Sequence, residues 1–260
     1  MAWKKGYSQI IDGNVVMSEP FETYYPFELY SSGKGPCIYL DFISIDETNQ
    51  KSIIDFCNKY GLLLLDQDFF HALNKIYSLP ISFFTTALSE MRNVFILRMS
   101  LNSYKYFREG LLALESLNPI DIEIYQNFLN ENNSLSELNK YDYFCYLARS
   151  TFIWVVNNHL KGVSPKLLLY DGKYHTDWHC ENLITIMYTM LQLDLAGGAI
   201  HARCQNETCP RYFTVSSTNK KQKYCSPFCE NAQSQRNHRK KVQQKKNAQK
   251  SIENNKKELK

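Results

Sequence analysis

The 260-residue chain reads as mainly α with a few short β-strands: a helical N-terminal body, then a small cysteine-rich module and a basic C-terminal helix. Three observations lead to this reading. Apolar residues recur every three to four positions over several long segments, which is the spacing of one buried helical face. Short β-prone runs punctuated by Gly, Asp and Asn are confined to the start of the chain and to one later hairpin. Two close cysteine pairs, joined by a polar loop, precede a stretch dense in Lys, Arg and Gln. Hydrophobic residues make up 44% of the chain and include 18 Tyr and 15 Phe, enough to bury a core, so disorder throughout is excluded.

In chain order, residues 7–45 hold β-prone runs broken at Asp12-Gly13-Asn14, Ser32-Gly33 and Gly35-Pro36, a pattern of hairpins or an extended lead-in. The run CIYLDFISI (37–45) reads as a strand. After it, DETNQKSIIDFCNKYG places Ile53, Phe56, Cys57 and Tyr60 on one helical face, with capping residues before it and Gly61 to end it. Cys57 is thereby assigned to the core. From Pro80 to about Leu117 the pattern is helical, with Phe84, Leu88, Met91, Phe95 and Met99 on one face, and Asn118-Pro119 stops it.

Residues 121–130 read as a further helix and 130–140 as a polar connection. A helix from about Asp142 to Leu160 follows, offering Phe144, Leu147, Phe152, Val155 and Val156 to the core. KLLLY and DGKYH then flank an Asp171-Gly172 turn, a hairpin signal. The segment from about Asp177 to Ala196 reads as an amphipathic helix on Leu183, Ile186, Met187, Met190, Leu191 and Leu195. Gly197-Gly198 closes it, so the body is bounded at 1–198, the cysteine module at 199–241 and a basic tail at 242–260.

Charge divides the chain the same way. Residues 1–199 hold 15 Lys and Arg against 22 Asp and Glu, a balance of −7, whereas residues 200–260 hold 15 against 4, a balance of +11. A basic end on an acidic body suits a polyanionic partner for that end. The opening MAWKKGYSQIIDG carries no apolar h-region, and no apolar run approaches the 18 or so residues that span a bilayer, so the expectation is a soluble, cytoplasmic chain without a membrane partner. In a reducing compartment clustered cysteines serve metals more often than disulfides.

The cluster lies in CQNETCPRYFTVSSTNKKQKYCSPFC. Cys204 and Cys209, then Cys225 and Cys229 across the loop, have the spacing of a closed tetrahedral Zn2+ site, each pair spanning one side of the ion. Tyr212 or Phe213 is expected to form the miniature core, and Cys229 to sit in the first turn of the following helix, giving a treble-clef-like finger. His201 and His238 lie near enough to stand in for a cysteine, but the four-cysteine set is simpler. After Cys229 almost no apolar residues occur besides Val242 and Ile252, so beyond its first two turns that helix is expected to fray or be disordered when free and to order on neutralising phosphates.

CSPFCENAQSQRNHRKK resembles the CGNR zinc finger, in which two cysteine pairs flank an aromatic hairpin and the second pair leads into Gly-Asn-Arg and an arginine-bearing helix. Cys204, Cys209, Cys225, Cys229 and Asn231 match that pattern, Arg236 and Arg239 fall where the helix carries arginines, and Glu230 and Ala232 stand in place of its Gly and Arg. LDFISIDETNQKSIIDFCNKYGLL is similar to the opening of the ABATE region that such proteins tend to carry at the N-terminus. The resemblance implies a bacterial transcription regulator that binds nucleic acid, duplex DNA foremost, with a small-molecule or protein signal at the helical body. Contacts to the nucleic acid are expected from Arg211, Arg236, Asn237, His238, Arg239, Lys240 and Lys241. The alternative is a protein–protein adaptor whose finger docks a partner.

One other cluster contains metal-capable side chains: His175, Asp177, His179, Cys180 and Glu181. Its His-x3-His pair lacks further ligands and straddles a hairpin-to-helix boundary, where Asp and His serve as caps. No nucleophile elbow, phosphate-cradling glycine loop or dinucleotide fingerprint is present, so an enzyme is not expected.

Overall fold

The computed structural model describes residues 3–17, 22–24, 37–64, 77–132, 134–170, 172–215 and 221–258. The protein is mainly α with short antiparallel strands, and it divides into two compact units, Met1–Gly198 and Ala199–Lys260. Among the described residues no helix is long and apolar enough to cross a membrane.

The first unit opens with β1 (Trp3–Lys5), β2 (Ser8–Ile11), β3 (Asn14–Met17) and β4 (Glu22–Tyr24). Strands β2 and β3 form a hairpin closed by Asp12 and Gly13, whose φ values of 48° and 75° are those of a turn matched to strand twist. Strand β5 (Tyr77–Pro80) adds to β3, making a three-stranded sheet, and β1 pairs with β4. The turns expected at Ser32-Gly33 and Gly35-Pro36 lie outside the described residues.

The run from Cys37 to Ile45 is not a strand. It forms helix α1 (Ile38–Ile43), in which every residue but Asp41 is buried. A short run that is apolar on all sides carries no periodicity to separate strand from buried helix. Arg92 settles the matter from another element, donating from Nε to the Ile43 carbonyl (3.0 Å) and from Nη2 to that of Ile45, so the carbonyls at the helix end are satisfied. Helix α2 (Gln50–Tyr60) follows the sequence reading closely. Asn49 caps it by accepting from the Lys51 amide, Gly61 ends it at φ 89°, and Ile53, Phe56, Cys57 and Tyr60 are its buried face.

The long helix expected from Pro80 to Leu117 is two helices, α3 (Ile81–Asn102) and α4 (Phe107–Leu117), with an extended Ser103 between them. The break falls where the chain needs close approach. Tyr141 donates to the Ser100 carbonyl (2.6 Å), and Gly110 packs so tightly that a Cβ there would lie 2.4 Å from Ser100 Oγ. Phe84, Leu88, Met91, Phe95 and Met99 are all buried, as their spacing implies. Pro119 is the first residue of α5 (Pro119–Glu131), a position where its missing N–H costs nothing.

Helix α6 (Glu137–His159) starts inside the stretch read as a polar connection, because Ser136 accepts from the Asn139 amide and caps it. The hairpin strands β6 (Val163–Tyr170) and β7 (Lys173–Cys180) are longer than expected and pair from Val163–Cys180 to Tyr170–Lys173. Asp177 to Cys180 therefore belong to a strand. Helix α7 begins only at Leu183 and runs to Ala196, capped by Asn182 on the Thr185 amide. It is not amphipathic: every residue from Leu183 to Leu191 is buried, and it serves as the axis on which α1 and α6 pack. The rings of Phe42, Phe56 and Phe84 join α1, α2 and α3, with centroids 5.1 to 6.0 Å apart.

In the second unit β8 (His201–Arg203), a strand not foreseen, pairs with β9 (Tyr212–Thr214). Helix α8 then runs from Pro227 to Glu258. The tail from 242, expected to fray or be disordered when free, is helical in the structure as far as Glu258. No Gly or Pro interrupts residues 228–258, and Lys, Gln, Glu and Ala favour a helix without tertiary packing.

Candidate metal centre

The hairpin of β8 and β9 carries the first cysteine pair at its turn. The Cys204 amide donates to the Arg211 carbonyl (2.9 Å) and that of Cys209 to the Asn206 carbonyl (2.8 Å), which folds residues 204–209 into a knuckle with both sulfurs on one side. The second pair arrives from the other direction: Cys229 is the third residue of α8, and Ser226 accepts its amide (3.3 Å). Cys204, Phe213 and Cys229 form the buried centre, with Val215 and Tyr224 packed against it. Phe213 supplies the aromatic core that the sequence left open between it and Tyr212.

The four sulfurs of Cys204, Cys209, Cys225 and Cys229 lie within 4.8 Å of one another. Cys209 and Cys225 are 3.7 Å apart and Cys225 and Cys229 3.6 Å. A tetrahedron with Zn–S bonds of about 2.3 Å has edges of about 3.8 Å, so the donor set fits a zinc ion in type, number and separation. Asn206 donates to the Cys229 sulfur and, more than any other contact, brings its pKa down to about 7, while burial and the neighbouring thiols push Cys225 up to about 12. A dication relieves the mutual repulsion that keeps such thiols protonated.

Polar residues that the sequence reading passed over hold the helix against the knuckle. Gln233, only 5% exposed, accepts from the Glu207 amide (3.0 Å) and donates to Glu207 Oε1 (3.2 Å) and to Asn237 Oδ1 (3.1 Å). Asn206, equally buried, accepts from the Thr208 amide (3.3 Å) and from Arg236 Nη1, whose other nitrogen reaches Thr208 Oγ1 (2.6 Å). Lys240 pairs with Glu207 at 2.7 Å, in solvent. Of the residues expected at a nucleic acid, Arg236, Lys240 and Asn237 are thus engaged within the module. Arg211, His238, Arg239 and Lys241 are exposed.

Beside the clamped face of α8 runs an open, polar depression of about 570 Å3, lined by Tyr224, Glu230, Asn231, Ser234, Asn237, His238 and Lys241. His201 sits in β8 outside the sulfur cluster, and His238 lines the depression on α8, also outside that cluster.

The remaining candidates are not brought into a helical metal site. His175 and His179 are in β7, where four residues of extended chain separate Cα atoms by about 13 Å, so the His-x3-His geometry of a helix is absent. Cys180 is 1% exposed, with its sulfur 3.9 Å from Thr189 Oγ1. Burial pushes the Cys37 and Cys57 thiols up to about 12, which makes both poor nucleophiles at neutral pH.

A knuckle at a hairpin turn, a second ligand pair entering a helix and one shared sulfur cluster define a treble-clef-like zinc finger. Residues 201–242 match the family model of the CGNR zinc finger. No curated protein and no solved structure matches the chain.

Proposed function

We propose that the protein is a zinc-dependent DNA-binding regulator of transcription in the cytoplasm. In this reading the finger positions the open face of α8 on duplex DNA, and residues 1–198 form an ABATE-like domain for sensing or assembly. The role is binding rather than catalysis. The observation that carries the reading is the division of labour on α8. Gln233 and Arg236 fasten one face to the knuckle, while Asn231, Ser234, His238 and Lys241 remain open on the adjacent face, in a unit with a balance of +11 over residues 200–260. Asn, Ser and His can address base edges, and Lys241, Arg239 and Arg211 can neutralise phosphates.

Anisotropy titration of the full chain on labelled duplex DNA tests this. Three to four phosphate contacts give a slope of log K against log salt of about −3, or roughly a 60-fold loss between 50 and 200 mM. Absence of binding at low salt, or binding indifferent to salt, removes the proposal. The adaptor reading is favoured by one feature: Phe228, beside Cys229, is 79% exposed. If Phe228→Ala abolishes capture of a partner protein while DNA binding is absent, the adaptor replaces the regulator.

A further inference from the structure

Within the first unit, helices α3, α6 and α7 bring a carboxylate, an imidazole and a phenol together. His159 Nε2, on the last residue of α6, is 2.5 Å from Glu90 Oε1 on α3, and the Tyr188 hydroxyl of α7 donates to the same oxygen at 2.9 Å. Tyr188 is 1% exposed and stacks on the His159 ring at 4.0 Å and 7°, so the pair holds the carboxylate in one orientation. The hydrogen bond from His159 keeps Glu90 below the usual glutamate range, and Glu90 is therefore ionised at neutral pH.

The side chains of Glu90 and His159 are 40% and 30% exposed, and both border a cavity of about 520 Å3, within the size range of small-molecule sites. Leu117 and Val155 give it apolar wall. Trp154, 59% exposed, and Asn158 stand one turn apart on α6 and face it together, with Ser89 opposite on α3. No Lys or Arg is among its described lining residues.

We propose that this cavity binds a small organic cation, a primary ammonium seated on Glu90 with its aromatic or aliphatic body against the Trp154 indole. The inference deepens the sensing role proposed for residues 1–198 by naming the ligand class. An ammonium has three donors and no acceptor. The Glu90 carboxylate, the Asn158 amide oxygen and the hydroxyls of Thr86, Ser89 and Ser116 are acceptors on the lining of the cavity. The indole face adds attraction for a cation where water is partly excluded. An anion meets Glu90 with no lysine or arginine to offset it, and the −7 balance of residues 1–199 steers cations in its place.

The test is calorimetric titration of the full chain, without DNA, by three ligands with the same phenethyl body: phenethylammonium, its neutral isostere 2-phenylethanol, and the anion 3-phenylpropionate. The ammonium binds, the carboxylate does not, and the alcohol binds at least tenfold more weakly than the ammonium. Glu90→Gln, which keeps an acceptor for Tyr188, and Trp154→Ala, at an exposed position, each weaken the ammonium at least tenfold. Should Glu90→Gln fail to fold, Asn158→Ala takes its place. Lack of ammonium binding, equal binding of the alcohol or the carboxylate, or binding that survives Trp154→Ala overturns the proposal. A chain that binds the ammonium but no DNA refutes the regulator and leaves this site standing, and the reverse result refutes only the site.

Discussion

Arg236→Ala separates a structural from a recognition role for the arginine that the sequence assigned to nucleic acid. In the folded module its guanidinium holds Asn206 Oδ1, Thr208 Oγ1 at 2.6 Å and Gln233 Oε1 at 3.3 Å, tying α8 to the first knuckle. Hydrogen bonds from a charged group contribute about 1.5 to 3 kcal/mol, and the partial exposure of the fork lowers its total to about 1 to 2 kcal/mol. Because zinc binding and module folding are coupled, that loss weakens zinc binding by roughly 5- to 30-fold. Competition for zinc against a chromophoric chelator reads the change directly. Arg236→Lys recovers little, since an ammonium cannot fork between the acceptors. With zinc saturating, DNA affinity stays within about twofold of the parent. The reasoning is refuted if zinc affinity is unchanged while DNA affinity drops and the salt slope falls by about one, for then Arg236 contacts a phosphate.

Two further outcomes concern the body. Gly110→Ala forces a Cβ to 2.4 Å from Ser100 Oγ and 2.8 Å from Phe144 Cζ, both fully buried, so the overpacking cost of about 1 to 3 kcal/mol outweighs the helix propensity gained; the melting temperature falls by several degrees, and an unchanged or higher value contradicts the packing described. Glu90 titrates below the ordinary glutamate range in the folded state, so its contribution is present above the unfolded pKa of about 4.3 and lost as pH falls through the lower folded value. Tryptophan fluorescence, which reports only the body because Trp3, Trp154 and Trp178 all lie there, shows a shallower loss of stability on acidification for Glu90→Gln than for the parent; parallel curves exclude the linkage.

The sequence disclosed what is encoded over short distances. Asn49 and Gly61 bracket α2 with local capping chemistry, Gly172 takes a left-handed φ of 69° where β6 turns into β7, and the cysteine spacing specifies a ligand set before any fold is known. It concealed what depends on neighbours distant in the chain. Helix α1 is apolar on all sides and has its end carbonyls met by Arg92, more than forty residues away in sequence; the break at Ser103 reflects Gly110 and Tyr141 closing on Ser100. Gln233 and Asn206 look like ordinary surface residues until α8 folds back and buries both, and Arg236 then becomes a brace. The Glu90, His159 and Tyr188 group is assembled across separations of 69 and 98 residues, with no motif to announce it.

Zinc K-edge X-ray absorption on the metal-loaded full chain bears most directly on the central claim, that Cys204, Cys209, Cys225 and Cys229 hold one structural ion. The account predicts one zinc per chain with four sulfur neighbours at about 2.3 Å, and loss of that shell in Cys225→Ser. A first shell containing nitrogen or oxygen, or an intact four-sulfur shell in Cys225→Ser, contradicts it.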